Sequence, residues 1–145
     1  MSMRTLPSIQ YLQGQPIRLG EELGRGGQGA VAEIQGRKDL VAKIYLEPPT
    51  PAQVQKLEAL IRTRTPLLEA VSAWPSDILQ SQSGQVSGFA MPLVNLDEYQ
   101  ELHNLYAPAS RKKYFAGADW SFLVLVARNV AKVFASLHEA GHLMG

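Results

Sequence analysis

The sequence predicts an α+β fold in which a five-stranded antiparallel sheet with one helix is followed by two helices, the last of them long and apolar. Residues 17–46 alternate apolar and polar side chains around glycines, as half-buried antiparallel strands do. Pro48, Pro49 and Pro51 then end the strand pattern, and apolar residues recur beyond them at helical spacing. Two further strand-like stretches and a long apolar stretch complete the order.

Length and composition indicate one globular domain or part of one. The chain has 145 residues, of which 46% are hydrophobic and 19% charged. The net charge of +1 gives no general reason to expect a nucleic-acid or membrane partner, and the lack of cysteine excludes thiol chemistry. No secretion signal is evident, and the densest apolar stretch, residues 122–127, is too short for a bilayer. We therefore expect a cytoplasmic protein.

The first half of the chain carries the predicted sheet. Residues 1–16 contain Pro7 and Gly14 and are expected to form a lead-in with at most an edge strand. The turn QGRKD has the glycine and aspartate of a tight reversal, so the strands on either side of it form a hairpin. The predicted strands cover residues 17–24, 30–35 and 40–46 and the stretches WPSDIL and VSGFAMPLV.

Three helical regions are predicted around and after these strands. Thr50 as N-cap and Pro51 at the first helical position start a helix that ends near Arg64. Asp119 starts the longest helix, whose apolar residues spread around most of its circumference. The remaining assignments are a short helix at residues 95–106, a loop at 107–118 and the long helix at 119–140.

The glycine-rich stretch GRGGQGAV at residues 24–31 is the strongest chemical signal. A dinucleotide-binding loop would open a helix, but the residues that follow, AVAEI, have a strand pattern. Two strands joined by such a loop form a hairpin flap whose backbone amides can approach phosphates unobstructed. Lys43 lies within the next strand, LVAKIYL, where burial without a partner is costly. An anion near Lys43 is therefore expected, unless its side chain lies on a solvated face.

At these residues the sequence resembles the N-terminal lobe of a eukaryotic-type serine/threonine protein kinase, in a bacterial kinase-like subgroup. The pattern G-x-G-x-x-G-x-V is complete at Gly24, Gly26, Gly29 and Val31, and VAK, ending at Lys43, matches the third-strand motif. The resemblance divides the chain into a lead-in (1–16), a kinase-like N-lobe (17–94) and the start of a C-lobe (95–145).

The resemblance implies an ATP site. Lys43 would hold the α- and β-phosphates beneath the glycine loop. Pro92 has no amide hydrogen, so its carbonyl would accept from the adenine amino group while Val94 donates. The residues that would surround the adenine are Leu23, Val31, Ala42, Met91 and the hinge residues Pro92 and Val94.

Kinases also pair the third-strand lysine with a glutamate on the following helix. Glu58 is the candidate, because Val54 and Ile61 flank it at i−4 and i+3 and place it on the inward side. Glu69 is close enough in sequence to compete. An exposed Glu58 with no role in the site is the alternative.

The closing stretch SLHEAGHLMG allows two interpretations. Its HEAGH segment matches a zinc-protease motif at His138 and His142, although Gly141 would weaken the turn that must hold both ligands. By the kinase resemblance, His138 instead ends the long helix, Gly141 terminates it, and residues 144–145 precede the catalytic loop. The base aspartate and the Mg²⁺ ligands would then lie beyond residue 145.

We therefore expect the ATP-binding portion of a kinase that, when complete, uses ATP and Mg²⁺ to phosphorylate a protein hydroxyl. This piece alone is expected to be catalytically inactive. The alternative is a pseudokinase-like or regulatory binding module, since the apolar helix at residues 122–137 needs the missing C-lobe or a partner chain to cover it. A zinc hydrolase is a third hypothesis. No nucleic-acid or membrane partner is expected.

Overall fold

Six antiparallel strands between residues 9 and 92 close into a barrel. The structure is a computed structural model that describes residues 6–143. The strands are β1 (Ile9–Leu12), β2 (Gln15–Arg25), β3 (Gly29–Ile34), β4 (Arg37–Tyr45), β5 (Asp77–Gln80) and β6 (Val86–Pro92). Their order around the barrel is β1-β2-β3-β4-β6-β5. The α+β class is as predicted, but the predicted five-stranded sheet is wrong, because a sixth strand closes it.

The lead-in supplies the additional strand. Gln13 and Gly14 both have positive φ, 50° and 76°, as the tightest hairpin turns require, and they join β1 to β2. Tyr11 in β1 pairs with Pro16 on one side and with Gln80 of β5 on the other. This double pairing leaves neither β1 nor β5 as a free edge. Residues 1–5 of the predicted lead-in lie outside the described residues.

Three alanines cross the barrel interior side by side. Ala32 of β3 pairs with Ala42 of β4, which pairs with Ala90 of β6, and all three are fully buried. The interior of a small barrel has room for few side chains. Small residues at adjacent positions therefore leave space for the larger ones. The other members of this buried core are Leu19, Ile34, Ile44 and Leu79.

Two helices, α1 (Pro51–Arg62) and α2 (Pro66–Val71), connect β4 to β5. The predicted start of α1 is confirmed: the Thr50 hydroxyl accepts from the Gln53 amide, and the Gln53 side chain accepts from the Thr50 amide at 2.8 Å. The helix ends at Arg62, two residues before the predicted end. The short helix α2 was not predicted, although Thr65 caps it and Pro66 occupies its first position.

The second half of the chain is helical. The chain divides into two compact units, Met1–Leu93 and Val94–Gly145. The second contains α3 (His103–Tyr106), α4 (Pro108–Tyr114) and α5 (Trp120–Glu139). Only four residues of the predicted helix at 95–106 are α-helical, and the predicted loop at 107–118 contains α4, which Pro108 begins. Helix α5 is as predicted, with the Asp119 carboxylate accepting from the Phe122 amide at 2.8 Å.

Helix α5 leaves much of its apolar surface exposed. Trp120 is 78% exposed, and Val124 and Leu125 about half. By length and composition, α5 is the one helix among residues 6–143 that could cross a membrane. The apolar stretch at residues 122–127, on which the sequence prediction rests, is too short to do so. Arg128 and Lys132 lie near the centre of α5, where each would cost about 3 kcal/mol in a bilayer.

Gly88 in β6 tests the packing of the barrel. A Cβ there would lie 2.0 Å from the carbonyl oxygen of Lys43, so Gly88→Ala must displace β6 from β4. We expect a loss of about 3 kcal/mol or more in the free energy of unfolding, measured by urea denaturation of the full chain. Gly27→Ala is the control, since a Cβ there meets no atom within 4 Å and should change stability by less than about 0.5 kcal/mol. Equal midpoints for the two variants would contradict the strand pairing.

Candidate functional site

Residues 24–29 make up the glycine loop of the β2–β3 hairpin: Gly24 and Arg25 end β2, residues 26–28 connect the strands, and Gly29 begins β3. The Gly26 amide donates to the Gly29 carbonyl at 2.9 Å, and the Leu46 amide donates to the Gln28 carbonyl at 3.2 Å. These bonds fasten the loop to the start of β3 and to the residue that follows β4. The loop opens no helix, so the predicted hairpin flap is confirmed and a dinucleotide-type turn is excluded.

Three of the loop glycines are surrounded by open space and do not have a backbone conformation that requires glycine. Gly24, Gly26 and Gly27 have no φ in the left-handed region, and a Cβ at any of them meets no atom within 4 Å. Gly29 differs, because a Cβ there would lie 2.7 Å from the carbonyl oxygen of Ile44. Gly29 is therefore required for strand packing. The other three keep the loop surface free of side chains, which allows a ligand to approach the backbone.

A cavity of about 410 Å³ adjoins this loop, and Lys43 is part of its wall. In the sheet Lys43 pairs with Val31 on β3, and its Cε lies 3.6 Å from where a Cβ on Gly29 would stand. Lys43 is half-buried, and its side chain lies beside the loop. The other lining residues are Val31 and the loop residues 24–29.

The Lys43 ammonium lies near an aromatic ring. Its Nζ lies 5.9 Å from the ring centroid of Phe89, the residue paired with Lys43 on β6, within the range of a cation–π contact. Tyr45 meets the Phe89 ring edge-on at 6.1 Å, and burial raises the pKa of the Tyr45 hydroxyl, which keeps it neutral. Among residues 6–143 no ion pair joins Lys43 to a carboxylate. The cation remains available to an anion in the cavity.

Arg25, which the sequence reasoning did not assign, also lines the cavity, and the Glu22 carboxylate offsets its charge. Its guanidinium binds Glu22 through two hydrogen bonds, Nε to Oε1 at 2.7 Å and Nη2 to Oε2 at 2.6 Å. This pair lowers the pKa of Glu22 and raises that of Arg25, chiefly through the side-chain hydrogen bonds. Both groups are exposed, so the pair orders the loop stem and contributes little to global stability.

Ala42 lies on the wrong face of β4 for the predicted adenine contact. Its side chain belongs to the core inside the barrel, and successive side chains of a strand point to opposite faces. The Ala42 side chain therefore lies on the opposite face of β4 from the Lys43 side chain. Val41, which is 2% exposed and pairs with Met91, shares the outer face with Lys43. The two-residue period of the strand, applied to LVAKIYL, would have identified Val41.

The other predicted adenine residues lie near the ends of β2 and β6 and at the boundary between the two units. Leu23 near the end of β2 is 47% exposed, Met91 and Pro92 end β6 with partial exposure, and Val94 begins the second unit. The Leu93 amide donates to the Asp39 carbonyl at 3.0 Å, so strand pairing continues one residue past Pro92.

The structure does not bring Glu58 to Lys43. Glu58 lies exposed on α1, and no ion pair among residues 6–143 includes it. Glu69, the competing candidate, forms an ion pair with Arg64 at 3.4 Å. Lys43 thus has neither predicted carboxylate partner in this structure.

The HEAGH segment lacks the geometry of a zinc helix. Helix α5 ends at Glu139, and Gly141 has a φ of +82°, so His142 lies beyond the helix that contains His138. Within the described part of the chain no group of three His, Asp or Glu side chains is arranged to hold a metal. The predicted helix end at Gly141 is confirmed, whereas residues 144–145 lie outside the described residues.

The chain is similar to bacterial protein kinases along nearly its whole length. It is 40% identical over 144 residues to Protein kinase YegI of Escherichia coli strain K12, a match that covers 99% of this chain and 22% of the relative. The same protein from Escherichia coli O157:H7 matches with 40% identity over 140 residues, 96% of this chain and 21% of the relative. The chain thus spans about a fifth of the length of these relatives. No family model and no solved structure matches it significantly.

These matches confirm the resemblance to a bacterial kinase that the glycine loop and Lys43 indicated. They cover the chain from the lead-in to α5, so the similarity is not restricted to one motif.

The Glu22–Arg25 pair predicts a measurable titration shift. Because the pKa of Glu22 is lowered, the pair should persist as pH falls until it passes the lowered pKa, and only then be lost. Carboxyl-detected NMR of the full chain should show Glu22 titrating at lower pH than in Arg25→Gln. Identical titration midpoints in the two proteins would contradict the pairing.

Proposed function

We propose that this chain is the ATP-binding portion of a serine/threonine-type protein kinase. The observation that carries the proposal is the cavity in which loop glycines without a conformational or packing role meet a lysine without a carboxylate partner. Bare amides and a cation are the groups that bind the phosphates of a nucleotide. The similarity to proteins named as kinases agrees with this chemistry.

The proposed ligand contacts follow from these positions. Lys43 binds the α- and β-phosphates, and the side-chain-free backbone of the glycine loop covers them. By resemblance to kinases, the adenine lies among Leu23, Val31 and Met91, with Val41 in place of Ala42, and Pro92 and Val94 provide its hydrogen bonds.

The complete protein is proposed to transfer the γ-phosphate of ATP to a protein hydroxyl. We assign no Mg²⁺ ligand to residues 6–143, where no suitable side-chain group is present. The chain alone is therefore proposed to bind nucleotide without transferring phosphate, since stabilisation of the developing charge requires the metal. A cytoplasmic location and the lack of a nucleic-acid partner remain predictions from composition.

A regulatory binding module is the second candidate, and the exposed apolar surface of α5 favours it. In that case the kinase-like fold would serve to hold a protein partner. Stabilisation by ATP separates the two candidates, because a ligand that binds only the folded state raises the melting temperature once its concentration exceeds its Kd. An unchanged melting temperature at millimolar ATP would favour the binding module.

Lys43→Ala tests the phosphate anchor. Loss of one charge-assisted hydrogen bond should weaken ATP binding about 10- to 100-fold, as measured by calorimetry with the full chain. Folding should survive, because Lys43 forms no internal ion pair. Lys38→Ala, at an exposed position of β4, and Glu58→Gln are the matched controls and should bind as the wild type does. Equal ATP affinity of Lys43→Ala and Lys38→Ala would contradict the proposal.

Gly26→Val tests the open surface of the loop. The new side chain meets no protein atom at its Cβ, so the variant should fold normally, but it fills the space that the phosphates need. ATP binding should fall at least about tenfold, an effect comparable to a lost charge-assisted bond. Gly117→Val in the second unit is equally unobstructed at its Cβ and serves as the control. Normal ATP binding by Gly26→Val would show that the loop does not cover the ligand.

A further inference from the structure

Lys43 and Phe89 occupy directly opposed positions on β4 and β6, so their side chains lie on the same outer face of the barrel. Both side chains are half-buried. The ammonium lies over the Phe89 ring, with Nζ 5.9 Å from the ring centroid. The negative face of a ring attracts a cation in this position, and the attraction strengthens as water is excluded. The ring therefore restricts where the ammonium can go.

No carboxylate has this role within the described part of the chain. Glu58 is exposed on α1, and Glu69 pairs with an arginine. Glu33 of β3 shares the outer face with Lys43, but its carboxylate lies against Gly20 of β2, where a Cβ would meet Oε2 at 3.1 Å. A lysine that nothing holds loses much of its rotamer freedom when it binds an anion, which weakens binding. Any earlier restriction of Lys43 must come from uncharged neighbours.

The Phe89 ring is itself held by its neighbours. Tyr45, two residues after Lys43 and on the same face of β4, meets the ring edge-on with centroids 6.1 Å apart and planes inclined at 61°. On the other side Phe89 pairs with Ile78 of β5. Burial raises the pKa of the Tyr45 hydroxyl, so this ring stays neutral and brings no competing charge. The ring is thus fixed before any ligand arrives.

We propose that Phe89 positions the Lys43 ammonium for the phosphates of the bound nucleotide, in the role that a carboxylate would otherwise have. The inference rests on the proposed function for the ligand, and on the sheet geometry alone for the position of the ammonium. A neutral ring leaves the whole positive charge to act on the anion, whereas a carboxylate would offset part of it. Phe89 does not line the glycine-loop cavity, so it acts through the lysine as a positioning residue.

The first test needs no nucleotide. Protons over an aromatic ring are shifted upfield by its ring current, so the ε-methylene signal of Lys43 should lie upfield of that of the exposed Lys38 in NMR spectra of the full chain. Lys43→Ala assigns the signal by its loss. The upfield shift should disappear in Phe89→Leu and persist in Phe89→Tyr, which keeps the ring. Phe115→Leu, the same change in the second unit, is the control and should leave the signal in place. An unchanged Lys43 signal in Phe89→Leu would overturn the proposal.

The ATP affinity of the same variants, measured by calorimetry, tests the consequence for binding. Phe89→Leu should weaken ATP binding about two- to fivefold, the strength of one partly exposed cation–π contact, whereas Phe89→Tyr and Phe115→Leu should bind as the wild type does. In the Lys43→Ala background, Phe89→Leu should have no further effect, because the ring acts only through the lysine. An equal loss in both backgrounds would mean that Phe89 only supports the sheet, which contradicts the positioning role.

Failure of this proposal and failure of the proposed function give different results. If the wild type does not bind ATP, the proposed function fails, and the NMR comparison still decides whether Phe89 positions the ammonium. If Phe89→Leu does not fold, Phe89→Met takes its place, since a flexible thioether fills an irregular space without a ring.

Discussion

The narrow interior of the barrel is the constraint on which the candidate site depends. Ala32, Ala42 and Ala90 lie side by side within it, where little space remains for larger side chains. Because side chains alternate along a strand, Ala42 inside the barrel fixes Lys43 on the outside. Lys43 then lies beside Gly29, at the loop that joins β2 and β3. Core packing and the position of the cation are thus consequences of one strand register.

The sequence predicted the features that depend on local residue patterns. The hairpin loop at residues 24–29, the Thr50 cap and the long helix after Asp119 all follow from glycines, caps and apolar periodicity, which act over a few residues. The residue adjacent to Lys43 was misassigned, since the motif was matched by letters and the strand period was not applied. With that period, the sequence alone would have placed Val41 on the lysine face.

Other features could not be predicted because they depend on contacts between distant residues. Closure of the barrel requires Tyr11 to pair with Gln80, which are far apart in sequence, and no local pattern reports such a pairing. The separation of Glu58 from Lys43 likewise depends on where α1 lies against the sheet. The contact of Lys43 with Phe89 becomes visible only when β4 is known to pair with β6. In each case tertiary structure determines the outcome.

The central claim is that a nucleotide binds with its phosphates against Lys43. An acyl-phosphate derivative of ATP, which transfers its acyl group to a lysine beside the bound phosphates, tests this most directly, with mass spectrometry to locate the label on the full chain. The account predicts that Lys43 is labelled well ahead of the exposed Lys38 and Lys56, and that excess ATP protects Lys43 alone. Labelling of all three lysines at similar rates, without protection by ATP, would contradict it.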